Sequence, residues 1–224
     1  MKIYLIRHSM TEGNRLKRYI GTTDEDLCEE GIVLLRGRKY PEVQEIYVSP
    51  MKRCCQTADM IYPGQIYTVV EELAECDFGL FENKNYQELA DCVQYQEWID
   101  SNGTLPFPEG EGREAFIERS LRGFEKVVKQ CRESGIHTAA LVVHGGTIMS
   151  IMERYAYPLG DYYNYQVGNG EGYELILEDD NSGVRRIRTG SDLGRSQVAV
   201  SSGASDRASD YGVGKNYKRL FPKV

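Results

Sequence analysis

The sequence predicts an α/β domain in which a mainly parallel sheet lies between helices on both of its faces. Apolar runs at 2–7, 45–49 and 138–143 end abruptly in polar residues, as strands that are buried on both faces do. Segments of helical periodicity alternate with these runs, which favours parallel strands joined by helices. With 224 residues and no internal repeat, the chain suits one sizeable core. We therefore expect one three-layer domain at 1–190.

The element boundaries follow from local signals. Glu29 and Glu30 open one predicted helix, because acidic side chains suit the positive end of the helix dipole. Ser49 is predicted to cap the next helix, with Pro50 as its first residue. In chain order the sequence predicts strand 2–7, helix 27–40, strand 45–49, helix 50–62, strand 66–70, an irregular acidic stretch 71–85, helices 86–100 and 113–132, strand 138–143, helix 147–157 and a hairpin of 173–177 and 184–188.

A C-terminal extension follows the predicted domain at 191–224. From about residue 190 the chain is rich in Ser, Gly and Asp, shows little periodicity, and carries a basic run at 215–219. This composition favours a flexible, solvated tail. A role in binding a partner stays open.

Charge and cysteine pattern exclude several classes of protein. The formal net charge is −7, whereas a nucleic-acid surface needs clustered Lys and Arg. The 6 Cys include no C-x-x-C pair, which is typical of a reduced, cytoplasmic protein. No apolar run approaches the roughly 18 residues of a membrane span, and no signal peptide precedes the first strand. We expect neither a nucleic-acid partner nor a membrane, and the oligomeric state stays open.

Two of the 3 His directly follow apolar strands. His8 comes after the first strand and His144 after the strand at 138–143. Ligands of open α/β sheets bind beyond the carboxyl ends of the strands, so both imidazoles are predicted to face one crevice. Arg7 precedes His8, and Arg53 follows another apolar run. Two guanidiniums and two imidazoles together favour a pocket for a phosphate dianion.

Two helix starts are predicted to line the same pocket. Backbone N–H groups at the start of the helix near Ser49 are expected to be free to bind an anion. Glycines at 145 and 146 let the backbone approach a ligand closely, and Thr147 is predicted to cap the helix that follows.

Catalysis at such a pocket needs a nucleophile and a proton donor. A neutral imidazole can attack phosphorus in line and form a phosphohistidine, while arginines neutralise charge on the equatorial oxygens. The best candidate for the acid lies at 73–79, where carboxylates stand beside apolar residues that raise a carboxyl pKa. The residues alone leave several nearby carboxylates open, namely Glu71, Glu72, Glu75, Asp77 and Glu82.

Four segments together resemble the histidine phosphatase superfamily, which also holds the cofactor-dependent phosphoglycerate mutases. In the family's order they are 5–14 (LIRHSMTEGN), 49–58 (SPMKRCCQTA), 73–79 (LAECDFG) and 144–146 (HGG). A further segment, 21–27 (GTTDEDL), resembles the part of the family that lines the substrate side of the site. The resemblance covers about residues 1–190 and implies the family's three-layer catalytic fold.

The resemblance implies a role for each candidate residue. It makes His8 the nucleophile, Glu75 the acid and base, and His144 a catalytic and phosphate-binding histidine. The other phosphate-binding residues it implies are Arg7, Asn14 and Arg53, and the substrate-lining residues are Gly21 and Thr22. No metal and no cofactor is implied.

The activity implied is that of a metal-independent phosphomonoesterase that hydrolyses a small phosphorylated metabolite through phospho-His8. Hydrolysis is favoured because mutases of the family usually have a longer segment between the acid and the last histidine. Two residues depart from the family pattern: Ser9 replaces a glycine, and Met10 stands where a polar residue is frequent. A phosphoglycerate-type mutase and a non-catalytic phosphate-binding regulator therefore stay open. The substrate stays open, and the candidates include sugar phosphates, phosphoglycerates and ribazole phosphate.

Overall fold

A seven-stranded sheet runs through the part of the chain that the computed structural model describes, namely residues 1–157 and 160–177 and the backbone of 187–189. The strands are β1 (Lys2–Arg7), β2 (Glu45–Val48), β3 (Thr68–Val69), β4 (Thr138–Val143), β5 (Ala156–Tyr157), β6 (Gly172–Leu177) and β7 (Ile187–Thr189). Their order across the sheet is β3-β2-β4-β1-β6-β7-β5.

Most of this sheet is parallel, as predicted. β3, β2, β4 and β1 pair in parallel, and so do β5 and β7. β6 pairs antiparallel with both β1 and β7, so among the described strands β6 alone runs the other way. β1 and β4 pair from Lys2 opposite Thr138 to Arg7 opposite Val143. Their carboxyl ends therefore reach the edge of the sheet at the same level.

Six α-helices accompany the strands in the described residues. They are α1 (Glu12–Arg15), α2 (Glu29–Arg36), α3 (Lys52–Ile61), α4 (Val93–Asp100), α5 (Arg113–Glu133) and α6 (Gly145–Tyr155). Single turns of 3₁₀ helix lie at Glu71–Leu73, Gly79–Phe81 and Tyr162–Tyr165.

Different helices cover the two faces of the sheet. Successive side chains of a strand point to opposite faces. Ile3 and Leu5 of β1 share a buried cluster with residues of α5 and α6. Tyr4 and Ile6 share another buried cluster with residues of α3. The predicted three-layer arrangement, with helices on both faces of a mainly parallel sheet, is confirmed.

Several predicted boundaries were wrong. The helix predicted at 27–40 covers only α2, because Gly37 forms its C-cap. The helix predicted at 86–100 begins at Val93. Before it, the side-chain oxygen of Asn85 accepts the N–H groups of Gln87 and Glu88 at 3.0 Å each, and this local turn competes with helix formation.

The strand predicted at 66–70 shortens to β3. The helix predicted at 147–157 lies two residues earlier, as α6. The antiparallel pairing of β6 with β7 confirms the predicted hairpin strands over 173–177 and 187–188, while 184–186 and the turn lie outside the described residues.

A small aromatic cluster packs beside the main core. Tyr95 and Trp98 of α4 are buried with Phe81 and Leu89. The rings of Tyr95 and Phe81 meet edge to face, with centroids 5.2 Å apart. Tyr95 and Trp98, which are at helical spacing, therefore anchor α4 by packing.

The described helices include none that is long and apolar enough to cross a membrane. Each of the 6 cysteines is a free thiol. The predicted C-terminal extension, 191–224, lies outside the described residues. The division at residue 190 and the cytoplasmic location remain predictions.

Candidate active site

The carboxyl ends of three adjacent strands bring the candidate residues together. Arg7 ends β1 and His8 follows it, His144 follows β4, and Ser49 follows β2. Because β2, β4 and β1 are adjacent and parallel, these ends meet at one edge of the sheet. The ring centroids of His8 and His144 are 5.1 Å apart. The structure thus places both imidazoles in one crevice.

The hydrogen bond of His8 defines its tautomer. Nδ1 lies 2.7 Å from the carbonyl oxygen of Ser9. A carbonyl oxygen only accepts, so Nδ1 carries a proton, and in the neutral ring Nε2 then keeps its lone pair. Burial, together with the charges of Arg53 and Arg7, holds the pKa of His8 well below its usual 6.5. The imidazole is therefore neutral at neutral pH, as a nucleophile must be.

His144 is fully buried at the N-cap position of α6. Its Nε2 lies 2.6 Å from Oγ of Ser49, and its Nδ1 lies 3.9 Å from Oε2 of Glu75. Burial and then the charge of Arg53 hold the pKa of His144 well below 6.5. Both imidazoles of the crevice are therefore neutral, and the positive charge there comes from arginine.

Arg53 is fully buried and held by backbone carbonyl groups. Its Nη1 donates to Thr23 at 2.9 Å, and its Nη2 donates to Gly21 at 2.9 Å and Ile20 at 3.3 Å. These bonds use three of the five N–H donors of a guanidinium. Nε is shielded from solvent and has no hydrogen-bond partner within the described part of the chain. The charge of Arg53 is near enough to both imidazoles to help lower the pKa values of His8 and His144.

Arg7 approaches the start of α6. Its Nη1 donates to the carbonyl of Val167 at 2.7 Å, and the side chain is almost completely buried. A Cβ atom placed on Gly145 would lie 3.5 Å from Nε of Arg7, which is ordinary contact distance. The second guanidinium therefore lies beside the first N–H groups of α6, which a helix leaves without intrahelical partners.

Glu75 places its carboxyl group against the start of α6. A Cβ atom at Gly146 would lie 2.9 Å from Oε1 of Glu75, so a glycine there makes room for the carboxyl group. Oε1 accepts the N–H of Cys76 at 3.0 Å. Burial raises the pKa of Glu75 above 4.5, although this hydrogen bond and the nearby arginines oppose the shift. The group suits proton donation.

A family profile described as "Histidine phosphatase superfamily (branch 1)" matches residues 3–189. The chain belongs to the histidine phosphatase superfamily. The matched range contains all of the candidate site residues and every strand of the described sheet except the first residue of β1.

Histidine phosphatase relatives with different names are similar to this chain. A provisionally named phosphoserine phosphatase 2 of Hydrogenobacter thermophilus is 30% identical over 192 residues, covering 81% of this chain and 92% of the relative. The adenosylcobalamin/alpha-ribazole phosphatase of Salmonella typhimurium is 27% identical over 183 residues, covering 76% and 87% of the two chains. The crystal structure of a phosphoglycerate mutase from Thermus thermophilus is 27% identical with a TM-score of 0.64, covering 88% and 100%.

Ser9, which stands where the family has a glycine, directs its hydroxyl to α2. Its Oγ donates to the carbonyl of Gly31 at 2.7 Å, and its N–H donates to Oγ1 of Thr57 at 2.9 Å. Oγ1 of Thr57 in turn donates to the carbonyl of Arg53 at 2.6 Å. The extra hydroxyl thus ties the loop after His8 to α2, while the backbone N–H of Ser9 ties the same loop to α3, and the set of candidate residues stays intact.

Asn14 lies at the edge of the candidate site. Its Oδ1 accepts the side-chain N–H of Asn169 at 3.2 Å, and the same amide nitrogen donates to the carbonyl of His8 at 3.1 Å. Asn14 is thus linked to His8 through Asn169, and its role at phosphate stays a prediction.

Gly21 and Thr22 lie in the loop that contacts Arg53. A Cβ atom at Gly21 would overlap the carbonyl oxygen of Cys76, so this close approach requires glycine. Thr22 is exposed. Contact of either residue with substrate stays a prediction.

The predicted helix starts were wrong in two details. Met51, not Ser49, occupies the N-cap of α3, and the N–H of Lys52 donates to Oδ1 of Asp24 at 2.8 Å. The carboxylate of Asp24 therefore occupies the N-terminus of α3, where a substrate anion was predicted to bind. At α6 the N-cap is His144, whereas Thr147 is buried inside the helix. Local sequence could not show these contacts, because Asp24 is remote from α3 in the chain.

Sequence reasoning also missed the residues that hold the backbone around Glu75. Arg119 of α5 donates from Nη1 to the carbonyls of Glu72 and Ala74, both at 2.9 Å, and from Nη2 to that of Glu75 at 3.2 Å. It is paired with Glu111 at 2.7 Å. The sequence did not indicate this role. Arg119 looks like an ordinary surface charge of α5, and Glu111 looks like one in the turn before that helix.

Proposed function

We propose that this histidine phosphatase is a metal-independent phosphomonoesterase that forms a phosphohistidine on His8. The proposal depends on one observation above all: Nδ1 of His8 donates to Ser9, which leaves the lone pair of Nε2 available in a buried, arginine-lined crevice. A neutral nucleophile beside two guanidiniums needs no metal to neutralise the phosphate.

In the first step, Nε2 of His8 attacks phosphorus and the ester P–O bond breaks. Arg7 and Arg53 bind the equatorial oxygens with charge-assisted hydrogen bonds. We assign the proton between Ser49 and His144 to Ser49, whose hydroxyl can donate to Nε2 of His144 at 2.6 Å while its Oγ accepts the N–H of Met51 at 3.4 Å. In this tautomer Nδ1–H of His144 donates to a phosphate oxygen.

Glu75 completes both steps as acid and then as base. Its carboxyl proton passes to the leaving alkoxide, so the alcohol departs neutral. The resulting carboxylate takes a proton from water, which attacks phospho-His8 and releases inorganic phosphate. The cycle ends with neutral His8 and protonated Glu75. A single carboxyl group whose pKa is raised by burial suits both roles.

The substrate we propose is a small phosphate monoester in the cytoplasm. Phosphoserine and alpha-ribazole phosphate are the first esters to assay, because relatives of this chain are named for them. Because these relatives are named for different esters, the substrate is to be identified by assay of a panel of phosphorylated metabolites.

Rapid quenching during turnover of ³²P-labelled phosphoserine, with chelator present, tests the mechanism. We expect label that is stable in alkali and lost in acid, as a phosphoramidate is. His8→Ala should trap none. Acid-stable label, or label that survives in His8→Ala, would refute the assignment of the nucleophile. Phosphate binding without turnover of any ester would instead identify a non-catalytic phosphate-binding protein.

A further inference from the structure

The loop 20–23 lies between the buried guanidinium of Arg53 and the carboxyl group of Glu82. Oε1 of Glu82 accepts the N–H of Gly21 at 2.7 Å and that of Thr23 at 2.8 Å. On its other side the same loop presents the carbonyls of Ile20, Gly21 and Thr23 to Arg53. The loop is therefore fixed by a cation on one side and an acidic side chain on the other.

One peptide unit connects the two charges directly. The carbonyl of Ile20 accepts from Arg53, and the N–H of the next residue, Gly21, donates to Glu82. The dipole of this unit, about 3.5 D, thus points its negative end at the cation and its positive end at Glu82. Each hydrogen bond polarises the peptide group and strengthens the other. A negative charge at Glu82 therefore makes the carbonyl a better acceptor for Arg53.

Among the residues that the structure describes, the side chain of Glu82 accepts hydrogen bonds only from this loop. Its Oε2 is shielded from solvent and accepts no hydrogen bond within the residues that the structure describes. A shielded carboxylate oxygen is costly unless its charge is compensated. The compensation here comes through the two N–H groups of the loop. Arg53 likewise pairs with no carboxylate among the described residues, and its bonds go to the carbonyls of the loop.

We propose that Glu82 is a positioning residue that orients Arg53 toward phosphate through the loop 20–23. The proposal rests on the proposed function, in which Arg53 binds the phosphate. The three carbonyl bonds fix the orientation of the guanidinium and leave two of its N–H donors for phosphate. Glu82 thus acts on phosphate binding and transfer, whereas Glu75 acts on the leaving group.

Glu82→Gln tests this role because it keeps the shape and one acceptor oxygen but removes the charge. Inorganic phosphate serves as a competitive inhibitor, and its inhibition constant reports binding at Arg53. We expect inhibition to weaken about tenfold, as the loss of a charge-assisted contact does. The rate constant kcat/KM should fall by the same factor for alkyl and aryl phosphates, because the leaving group is not involved.

A double-mutant cycle with Arg53→Lys separates positioning from general stability. If Glu82 acts through Arg53, Glu82→Gln should change phosphate inhibition less than about threefold once Arg53 is Lys, since coupled residues are not additive. Equal effects of Glu82→Gln in both backgrounds would overturn the proposal. A loss confined to alkyl phosphates would also overturn it, since it would make Glu82 an acid.

Glu88→Gln is the matched control. Glu88 lies in the segment that follows Glu82, pairs with Arg18 at 2.6 Å and accepts the N–H of Asn85 at 2.9 Å. Its loss removes similar contacts away from the loop, so phosphate inhibition should stay at the native value. Thermal unfolding of each variant verifies folding. Absence of phosphatase activity in the native protein would refute the proposed function itself, whereas native activity with an additive cycle refutes only the role of Glu82.

Discussion

Glu75→Gln is the substitution that most sharply tests the proposed chemistry. Glutamine keeps the acceptor oxygen for the N–H of Cys76, which lies 3.0 Å from Oε1. The side chain is 11% exposed, and burial already raises the pKa of the carboxyl group. A neutral amide therefore suits the same environment, and we expect the free energy of unfolding to change by less than about 1 kcal/mol.

The effect on catalysis should depend on the leaving group. General acid assistance contributes about 10²- to 10⁴-fold, which corresponds to about 2.7 to 5.4 kcal/mol of activation free energy. An alkyl phosphate such as phosphoserine should lose this whole factor, because its alkoxide cannot depart without a proton. A nitrophenyl phosphate should lose less than about tenfold, since its phenolate departs unprotonated.

The assay compares kcat/KM for both esters in the native protein, Glu75→Gln and Asp77→Asn. Asp77 is the control because it lies in the same segment and its Oδ1 accepts the N–H of Gly79 at 2.9 Å. An equal loss for both esters in Glu75→Gln would refute the acid role. A leaving-group-dependent loss in Asp77→Asn would show that the acid is a different carboxylate.

Three further measurements test the site. Arg53→Ala should weaken inhibition by inorganic phosphate about 100-fold. Arg53→Lys should weaken it less, because an ammonium keeps the charge but lacks two parallel donors. Equal inhibition of the native protein and both variants would place Arg53 outside the site. With 3-phosphoglycerate and a bisphosphoglycerate primer, isomerisation should be slower than hydrolysis of the preferred ester, and the reverse would identify a mutase. The folded-state pKa of His8 is lowered, so the unfolded chain binds more protons below about pH 6.5. The free energy of unfolding should therefore fall as pH drops from 6.5 toward that lowered pKa. Urea unfolding should show a smaller fall in His8→Gln, and an equal fall would contradict the buried neutral imidazole.

Most of the fold follows from patterns that are local in the sequence. Strand β4 and helix α5 match the predictions to within one residue, because β4 is an unbroken apolar run and α5 keeps a helical apolar period over its whole length. The prediction of α4 was too long, since Asn85 forms a turn with the residues after it. Short elements such as β3 depend on pairing with a neighbouring strand, which the local sequence does not show.

The sequence by itself determined which chemical groups could meet. His8, Arg7 and His144 follow strands that end at one edge of the sheet, so alternation of strands and helices was enough to predict their shared crevice. Only the tertiary structure decided what each group does there. The tautomer of His8, the carboxylate of Asp24 at the start of α3, and the carbonyls around Arg53 arise from backbone geometry and from contacts between distant segments. The physical reason is that residue type sets the available charge and donors, whereas their direction and pKa depend on burial and on neighbours that the folded chain brings within hydrogen-bonding distance.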